Sequence, residues 1–492
     1  MNSTTLPRYQ QIAATLAAQL DHGDYPPGSR LPAVRQLAAA HGVNTLTALA
    51  AYRLLEQQQR VEARPRAGFY AAAPAGSAAP HRNDPALPLP STAALVDLNS
   101  RMSTLLLLAD DRIPLQLHME EAAPALYPSS ELARRLQQTL ARQPELIGAH
   151  LPGNTQRRLT SALQQLAQQR GMALRADDIL PCHGITEAIS LALRHLTRPG
   201  DTVAVETPVY FGLLQTLQGL GLKVLEIPCT ADAGLSLEAL EFALRHGPAV
   251  KCLVCVPNFQ NPTGGLMPDD NKRALLQLAR RHGITIVEDD VFGDLYYGSE
   301  RPTPIKAWDR TGEVIYCSSF TKSYAPSFRL GWFSGGRHHQ ALARLQASST
   351  LTVSPLLQAV LAEVLESGDY QRTSQRIRQQ LAAQMHATAD AVLRHFPKGT
   401  RVRKPQGGML LWLECPPGSD TTQLLQQALP AGISFAPGVV FSAEPRFDHC
   451  LRLSCGQPFT PTLDNALATL GRLLAQQLAQ RTDVPAASFP PR

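Results

Sequence analysis

The chain has 492 residues, of which 44% are hydrophobic and 17% are charged. One hydrophobic core rarely supports a chain of this length, so we expect two or three domains. The composition excludes a disordered chain, and no run of about 18 apolar residues predicts a membrane-spanning helix. The N-terminus lacks the basic start and apolar stretch of a secretion signal, so we expect a soluble, cytoplasmic protein.

The net charge of +6 is modest for this length, but the positive charge is unevenly distributed. Residues 1–70 carry seven arginines and four acidic residues. About half of the excess positive charge therefore lies in the first seventh of the chain. This distribution favours a polyanionic partner for the N-terminal part.

Eight cysteines are scattered through apparent core strands, without the spacing of a disulfide framework. This usage is typical of a reducing compartment. Cys252 and Cys255 have the spacing of half a zinc site, but in a strand their side chains would point to opposite faces. No second pair follows at zinc spacing, and we predict no metal site.

The N-terminal 70 residues predict three helices followed by a hairpin. Apolar residues at helical spacing predict helices over residues 7–20, from about residue 34 and over residues 45–58. A short glycine-containing turn at 41–44 joins the last two helices, as in a helix-turn-helix. Residues 61–70 predict a two-stranded hairpin with a basic tip, which completes an α+β winged helix.

This pattern closely resembles the GntR family of bacterial regulators. The resemblance rests on the pairs at 27–28, 31–32 and 42–43, on Arg35 and on the wing at 64–68. It implies binding to a double-stranded DNA operator, with candidate contacts at Arg35, Asn44, Thr45, Thr47, Arg66 and the backbone of Gly68. The family often has arginine where this chain has Thr45, so one contact is lost or replaced. The alternative is a helical bundle used only for protein contacts.

Small residues and prolines dominate residues 71–90 and predict a linker with no core of its own. We place the DNA-binding domain at 1–73, the linker at 74–94 and a large ligand-binding domain at 95–372. A smaller α+β domain follows at 373–480, where we expect a helix over 375–396 and strands near 401–404, 408–414 and 449–454. The proline-rich tail, 481–492, is expected to be disordered.

Short apolar stretches alternate with helix-length segments in the large domain. Strands are predicted over residues 179–182, 202–206, 223–227, 251–256, 284–288 and 313–318. This alternation indicates an α/β fold with a mostly parallel sheet covered by helices on both faces. Ligands of such sheets bind at the carboxyl ends of the strands, and the polar motifs of this chain lie there.

Five motifs in this domain together suit pyridoxal phosphate. Lys322 follows small hydroxyl residues, and Arg329 comes seven positions later, so an amine that can form an imine lies near a guanidinium that can bind phosphate. The segment 184–188 opens a helix predicted over residues 187–196, and the free N–H groups at such a helix start suit a phosphate. Asp289 is a carboxylate for a ring nitrogen, Asn261 an amide for a ring hydroxyl, and Tyr210 follows another strand as a ring that can stack. Each motif alone has an ordinary structural explanation, but five in this order do not.

The order of these motifs strongly resembles fold-type I aminotransferases of the aspartate aminotransferase superfamily, over residues 113–474. With the GntR-like N-terminus, the whole chain resembles MocR-type regulators. The resemblance implies that Lys322 is the catalytic Schiff-base lysine, and that these residues bind the cofactor: Ile185, Thr186, Tyr210, Asn261, Asp289, Ser319, Thr321, Lys322 and Arg329. It also implies that Arg452 receives a substrate carboxylate, although an exposed strand residue remains an alternative reading of Arg452.

Two positions depart from the family pattern. Phe292 lies where the family commonly has a tyrosine that donates to the ring oxygen, and loss of one hydrogen bond changes stability by about 0.5 to 1.5 kcal/mol. We therefore expect a raised aldimine pKa and weak transamination. The segment 146–153, which in many relatives brings a tyrosine to the phosphate of the other subunit, contains none. His150 is a candidate replacement in the homodimer that the resemblance implies.

The leading hypothesis is a transcriptional regulator that holds pyridoxal phosphate and senses the cofactor or a small amino compound through aldimine formation. The second hypothesis is a working aminotransferase with an accessory DNA-binding domain, because all groups needed for the chemistry are present. A third, a DNA-binding scaffold with an inert second domain, conflicts with Lys322.

Overall fold

The computed structural model describes residues 8–22, 25, 28–57, 60–64, 68–71, 93–96, 113–148 and 154–482. The chain divides into two compact units, residues 1–88 and 89–492. Among the described residues, no helix is both long enough and apolar enough to span a membrane.

The first unit is a winged helix, as predicted. Its elements are α1 (Arg8–His22), α2 (Val34–Ala40), α3 (Thr45–Gln57), β1 (Val61–Arg64) and β2 (Gly68–Ala71). The side chain of Asn44 accepts the N–H of Thr47 at 2.7 Å, which satisfies one of the free N–H groups at the start of α3. The apolar faces of the three helices meet in a core that includes Ile12, Leu16 and Leu37.

The wing packs against this helical core. The antiparallel strands β1 and β2 pair Val61 with Ala71 at the base. The ring of Phe69 stacks on Tyr52 of α3 with a centroid distance of 4.3 Å. The Tyr52 hydroxyl donates to the carbonyl of Pro32 at 2.6 Å, which ties α3 to the segment before α2. These contacts orient the wing relative to α3.

The second unit is built on a nine-stranded sheet. Its strands are β3 (Ala94–Leu95), β5 (Leu180–Cys182), β6 (Thr202–Thr207), β7 (Lys223–Thr230), β8 (Gly234–Leu235), β9 (Val250–Cys255), β10 (Thr285–Asp289), β11 (Val314–Ser319) and β12 (Gly331–Ser334). The order is β3-β7-β6-β9-β10-β11-β12-β5, with β8 beside β7. Strands β7, β6, β9, β10 and β11 run parallel, while β12 is antiparallel to both neighbours. The predicted mostly parallel sheet is confirmed.

Helices cover both faces of this sheet. They are α4 (Ser129–Arg142), α5 (Asn154–Gln169), α6 (Ile185–Leu196), α7 (Phe211–Gly219), α8 (Leu237–His246), α9 (Asp269–His282), α10 (His339–Ser349) and α11 (Pro355–Glu366). Alternate strand residues face opposite layers: Val203 packs with α6 and α7, and Ala204 with α8 and α9. Cys252 and Cys255 likewise lie in opposite layers, as strand alternation predicts.

A smaller antiparallel sheet follows, with the order β13-β14-β17-β16. Its strands are β13 (Arg401–Val402), β14 (Leu410–Glu414), β16 (Ala436–Pro437) and β17 (Cys450–Ser454), and its helices are α12 (Asp369–His395), α13 (Thr421–Ala428) and α14 (Pro461–Thr482). Helix α12 begins six residues before the predicted residue 375, so the proposed domain boundary at 372/373 falls inside it. Residues 483–492 of the predicted tail lie outside the described residues.

The segment before α4 joins this smaller layer. Strand β4 (Leu115–Gln116) pairs in parallel with β15 (Ile433–Ser434). Leu117 is buried in the same apolar cluster as Leu411 and Leu453. Although we assigned this segment to the large domain, its backbone and its apolar side chain are held by the smaller layer. It therefore connects the two layers beside the carboxyl ends of the parallel strands.

Candidate functional sites

A cavity lies at the carboxyl edge of the parallel strands. It is lined by Glu120, Ile185, Thr186, Tyr210, Val256, Asn261, Asp289, Val291, Ser319, Thr321, Lys322 and Arg329. All nine residues predicted to bind the cofactor are among these twelve. Eight of the nine follow or end a strand of the large sheet, and Arg329 comes just before β12. Parallel strands place their carboxyl ends at one edge. The structure therefore brings the predicted set together, while the individual roles stay predictions.

One end of the cavity is a cradle of donors. Helix α6 begins at Ile185, directly after Gly184, whose φ of 81° suits glycine. A Cβ at Gly184 would lie 3.3 Å from the Nη2 atom of Arg329, so glycine leaves room for this close approach. The hydroxyls of Ser319 and Thr321 lie 2.7 Å apart beside it. Free helix N–H groups, two hydroxyls and a guanidinium suit a phosphate.

Arg329 itself has a left-handed backbone with φ of 49°, at the turn before β12. Within the part of the chain that the structure describes, its guanidinium has no hydrogen-bond or ion-pair partner. An unpartnered cation beside free helix N–H groups is an arrangement that an anion would complete.

Asp289 ends β10 and faces the cavity. Removal from water raises the pKa of its carboxyl to about 7, and the N–H of Val291, which donates to it at 3.1 Å, offsets only part of that effect. Among the described residues, this is the one hydrogen bond that the carboxyl accepts. A cationic N–H group in the cavity would stabilise the ionised form, as the predicted ring-nitrogen partner requires.

Lys322 lies across the cavity, after the end of β11. Burial lowers the pKa of its amine, and the negative charge of Glu120 acts in the opposite direction. The net effect raises the fraction of unprotonated amine, which is the nucleophilic form. The Nζ atom donates to the backbone carbonyl of Glu120 at 2.6 Å.

Arg452 is fully buried in β17, which excludes the exposed-strand alternative. Its guanidinium forms an ion pair with the carboxylate of Glu120 and donates to the amide oxygen of Asn261 at 2.9 Å. A second nitrogen donates to the carbonyl of His118 at 2.6 Å. The predicted carboxylate receptor is thus already paired with a carboxylate of the same chain.

Glu120 is the residue that sequence reasoning missed. Its carboxylate also accepts the side-chain N–H of Asn261 at 3.0 Å. Burial acts to raise its pKa, but Arg452 and Lys322 outweigh burial and hold the pKa below its ordinary value. The same charge is the main cause of the raised pKa of the Tyr210 hydroxyl, and burial adds to it. The residue is therefore ionised at neutral pH.

Phe292, the departure from the family tyrosine, is buried in an apolar cluster with Phe259 and Leu295. It is not among the residues that line the cavity. The hydroxyl of Tyr127 reaches the same region and donates to the backbone carbonyl of Lys322 at 3.3 Å. The predicted effect of Phe292 on cofactor acidity stays a prediction. His150 lies outside the described residues.

The candidate DNA-contacting surface lies on the first unit. Arg35 is exposed at the start of α2, and Thr45 and Leu46 are exposed at the start of α3, with Leu46 74% exposed. Thr47 is half-buried, and Asn44 uses its side-chain oxygen to cap α3. Among the predicted contacts on the helix-turn-helix, Arg35, Asn44 and Thr45 are thus exposed.

At the wing, Gly68 has a φ of 104°, which favours glycine. A Cβ at this position would lie 3.7 Å from the guanidinium of Arg30, which pairs with Tyr70 through its backbone. Arg30 is exposed and was not among our candidate contacts. The predicted contact Arg66 lies outside the described residues. Arg30 is therefore the cation that the structure adds to the wing.

Comparison with protein families places two matches along the chain. Residues 125–470 match the family described as aminotransferase class I and II, and residues 8–71 match the bacterial regulatory proteins of the gntR family. The chain is 37% identical to the uncharacterized HTH-type transcriptional regulator YjiR of Escherichia coli K12, over 94% of this chain and 98% of that protein. It is 27% identical to the probable rhizopine catabolism regulatory protein MocR of Rhizobium meliloti, over 88% and 86% of the two chains.

A solved structure extends the likeness to the fold. It is LysN, the α-aminoadipate aminotransferase of Thermus thermophilus, in complex with N-(5'-phosphopyridoxyl)-L-leucine. The match has a TM-score of 0.69 and 29% identity, and it covers 74% of this chain and 92% of that one.

Proposed function

Because the chain belongs to the aminotransferase class I and II family and carries a GntR-family domain, as MocR-type regulators do, we propose that it couples a pyridoxal phosphate pocket to transcriptional control. The observation that carries this proposal is the convergence of nine predicted residues on one cavity, in a chain that also has a winged helix. Relatives that match nearly the whole chain have names that describe transcriptional regulators.

The residues of the cavity fit the cofactor. The donor cradle at Ile185, Ser319, Thr321 and Arg329 suits its phosphate, and Gly184 provides the space that a Cβ would fill. Asp289 has a spare acceptor for the ring nitrogen. When bound, pyridoxal phosphate supplies an aldehyde for amines and a ring that withdraws electrons.

Four side chains of the cavity have separate roles in our proposal. Lys322, with its lowered pKa, provides an unprotonated amine on the cavity wall. Asn261 offers an amide, which we assign to the ring oxygen, and Tyr210 offers a ring, which we assign to stacking on one face of the cofactor. The buried setting of Asp289 keeps its carboxyl poised to bind a cationic group.

We assign operator binding to the exposed side chains of the helix-turn-helix and to the wing. Arg35, Thr45 and Leu46 are exposed, and an exposed leucine can contact the methyl group of thymine. Arg30 beside Gly68 adds a cation for phosphates. We place this activity in the cytoplasm, where bacterial operators lie.

We also propose that two copies of the chain act together. The family that the second unit resembles shares its sites between subunits, and Ile147 is 75% exposed at the segment where that contact is expected. A dimer would present two winged helices to paired half-sites, which raises affinity without any new contact within one half-site.

The effector in this proposal is pyridoxal phosphate or a small amino compound that condenses with it. Ligand shifts the distribution between DNA-binding and non-binding arrangements only if its affinity for the two differs. The loss of the family hydroxyl at Phe292 supports slow turnover, which suits a sensor better than an enzyme.

The test uses the full chain with DNA fragments tiled across the region that flanks its own gene. Gel retardation at fixed salt is measured with and without pyridoxal phosphate, and with an amine panel. We expect retention of one fragment well above random DNA, with an affinity that changes on ligand addition in wild type but not in Lys322→Ala. Equal retention of all fragments, or the same ligand response in both proteins, would refute the proposal.

Aminotransferase activity is the second candidate, favoured by the complete set of Lys322, Asp289, Asn261 and Tyr210 in one cavity. The solved structure with a TM-score of 0.69 is an aminotransferase. Release of keto acid from an amino donor, measured over many turnovers, would support the enzyme. A spectral change without keto acid would support the sensor.

A further inference from the structure

Arg452 has few ways left to receive a ligand carboxylate. Its three hydrogen-bond partners are the carboxylate of Glu120, the amide oxygen of Asn261 and the carbonyl of His118. The ring of Phe441 lies 5.0 Å from the guanidinium carbon. The side chain is fully buried, so no part of it is open to solvent. Of the three guanidinium nitrogens of Arg452, only Nε lacks a hydrogen-bond partner within the described part of the chain, and this atom is buried.

Glu120 is held in this position from several sides. Its carboxylate accepts from Asn261 as well as from Arg452, and its backbone carbonyl accepts from Lys322. The segment that carries it is fixed by the pairing of β4 with β15. The side chains of His118 and Ser434 are 2.7 Å apart and tie the same two segments together. Displacing the carboxylate therefore disturbs contacts on both layers of the second unit.

A ligand with a carboxylate on its amine-bearing carbon meets an electrostatic obstacle here. To reach Arg452, its carboxylate must either displace Glu120 or share the guanidinium with it. Displacement leaves a buried carboxylate without its cation, and sharing places two negative charges within a few ångströms. A primary amine without that carboxylate meets neither obstacle.

We propose that Glu120 takes the place of the ligand carboxylate at Arg452, so that the pocket selects primary amines with no carboxylate on the amine-bearing carbon. This inference rests on the proposed function, since it concerns amines that react with pyridoxal phosphate at Lys322. It narrows the effector from amino compounds in general to one chemical class. Glu120 acts here as a specificity-determining residue.

The test compares two ligands that differ only in the carboxylate, L-leucine and 3-methylbutylamine. Their dissociation constants for the full chain loaded with pyridoxal phosphate are measured by titration of the visible absorbance, and each is corrected for the unprotonated fraction of the amine. We expect 3-methylbutylamine to bind wild type at least about tenfold more tightly, because one charged hydrogen bond corresponds to a change of this size.

The variant Glu120→Gln removes the negative charge and keeps the shape of the side chain. We expect this variant to raise the affinity for L-leucine, relative to that for 3-methylbutylamine, about tenfold over the wild-type ratio. Glu121→Gln is the matched control, since Glu121 is exposed and does not line the cavity. It should retain the wild-type preference.

The outcomes separate this inference from the proposed function. A wild-type chain that acquires no visible absorbance with pyridoxal phosphate would overturn the proposed function and this inference with it. A loaded wild-type chain that binds L-leucine as tightly as 3-methylbutylamine, or binds neither, would overturn the inference alone. The wild-type comparison needs no variant, so it decides the matter even if Glu120→Gln fails to fold.

Discussion

Two adjacent carboxyl groups at the end of β10 lie in opposite surroundings. Asp290 points into a buried polar network, where it forms an ion pair with Arg301 and accepts from Asn258 at 2.9 Å and from Tyr316 at 2.6 Å. Asp289 points into the cavity and accepts one hydrogen bond from Val291 among the described residues. Asp290 therefore has several protein partners, whereas Asp289 can still accept hydrogen bonds from a ligand.

The same difference separates the arginines of the second unit. Arg170 and Arg301 are both paired with Asp294, and these two arginines hold the pKa of that carboxyl well below its usual range despite burial. Arg329 at the cavity has no such partner within the described ranges. Arg452 is the exception: it adjoins the cavity, but Glu120 already pairs with its guanidinium. A charged group at the cavity that lacks protein partners therefore indicates where a ligand is expected to bind. A charged group that is fully paired within the protein indicates a structural role or, as at Arg452, a site closed to ligand.

The largest expected effect is on the free energy of unfolding, when Arg301 is removed from its buried ion pairs with Asp290 and Asp294. Arg301→Ala leaves Asp290 and Asp294 without one of their charge partners, and removal of one member of a buried ion pair typically lowers stability by about 3 to 5 kcal/mol. The unfolding of the second unit in urea, followed by circular dichroism, measures this. Arg310→Ala, an exposed arginine in the same region, should change stability by less than about 0.5 kcal/mol. Equal urea midpoints for Arg301→Ala and Arg310→Ala would show that the buried ion pairs do not stabilise the second unit.

The carboxylate of Asp289 should lower the stability of the folded chain at neutral pH, whereas the ion pairs of Arg301 should raise it. Because the folded-state pKa of Asp289 is raised to about 7, the folded chain binds this proton more tightly than the unfolded chain. The stability due to that proton is complete at low pH and is lost as the pH rises to about 7.

In the cofactor-free chain, Asp289→Asn should therefore be more stable than wild type above pH 7, by up to about 4 kcal/mol. The advantage should shrink towards pH 4. Thermal unfolding of both proteins across this range tests the sign, with Asp270→Asn as an exposed control. An asparagine variant less stable than wild type at pH 8 would show that Asp289 is structural.

Although Asp289→Asn should stabilise the cofactor-free chain, it should weaken the binding of the cofactor. A charged hydrogen bond corresponds to about 1.5 to 3 kcal/mol, so Asp289→Asn should weaken pyridoxal phosphate binding by roughly tenfold to a hundredfold. Equilibrium dialysis at pH 8 measures the dissociation constant, and Asp270→Asn should match wild type. An unchanged constant in Asp289→Asn would remove the assignment of this carboxyl to the ring nitrogen.

The predicted cofactor residues converge on one cavity for a physical reason. Each predicted cofactor residue lies near the carboxyl end of a strand, next to a turn, or directly before the antiparallel β12. Once the sheet was expected to be mostly parallel, its geometry required these ends to converge. The local signals were strong as well, such as the apolar strand of β9 before the turn that carries Asn261.

The sequence did not predict Glu120 or Arg30, because their positions depend on pairing between distant segments. Glu120 is 332 residues from Arg452, and β4, which positions its segment, is only two residues long and has no periodic pattern. Arg30 reaches Gly68 through an isolated bridge to Tyr70. The start of α12 was placed too late because its first turns are polar, although Gly368 with φ of 73° marks the true boundary.

The smallest expected effect is on DNA binding by the first unit, where Arg30 can be compared with Arg329. Like Arg329, Arg30 has a guanidinium without a partner among the described residues, and it lies beside a glycine of the wing. If it contacts a DNA phosphate, Arg30→Ala should weaken binding to every sequence and reduce the slope of log affinity against log salt by about 1. Fluorescence anisotropy with one labelled duplex at several salt concentrations measures the slope. Arg310→Ala makes the same charge change on the second unit, so an equal slope change in both variants would attribute the effect to net charge alone.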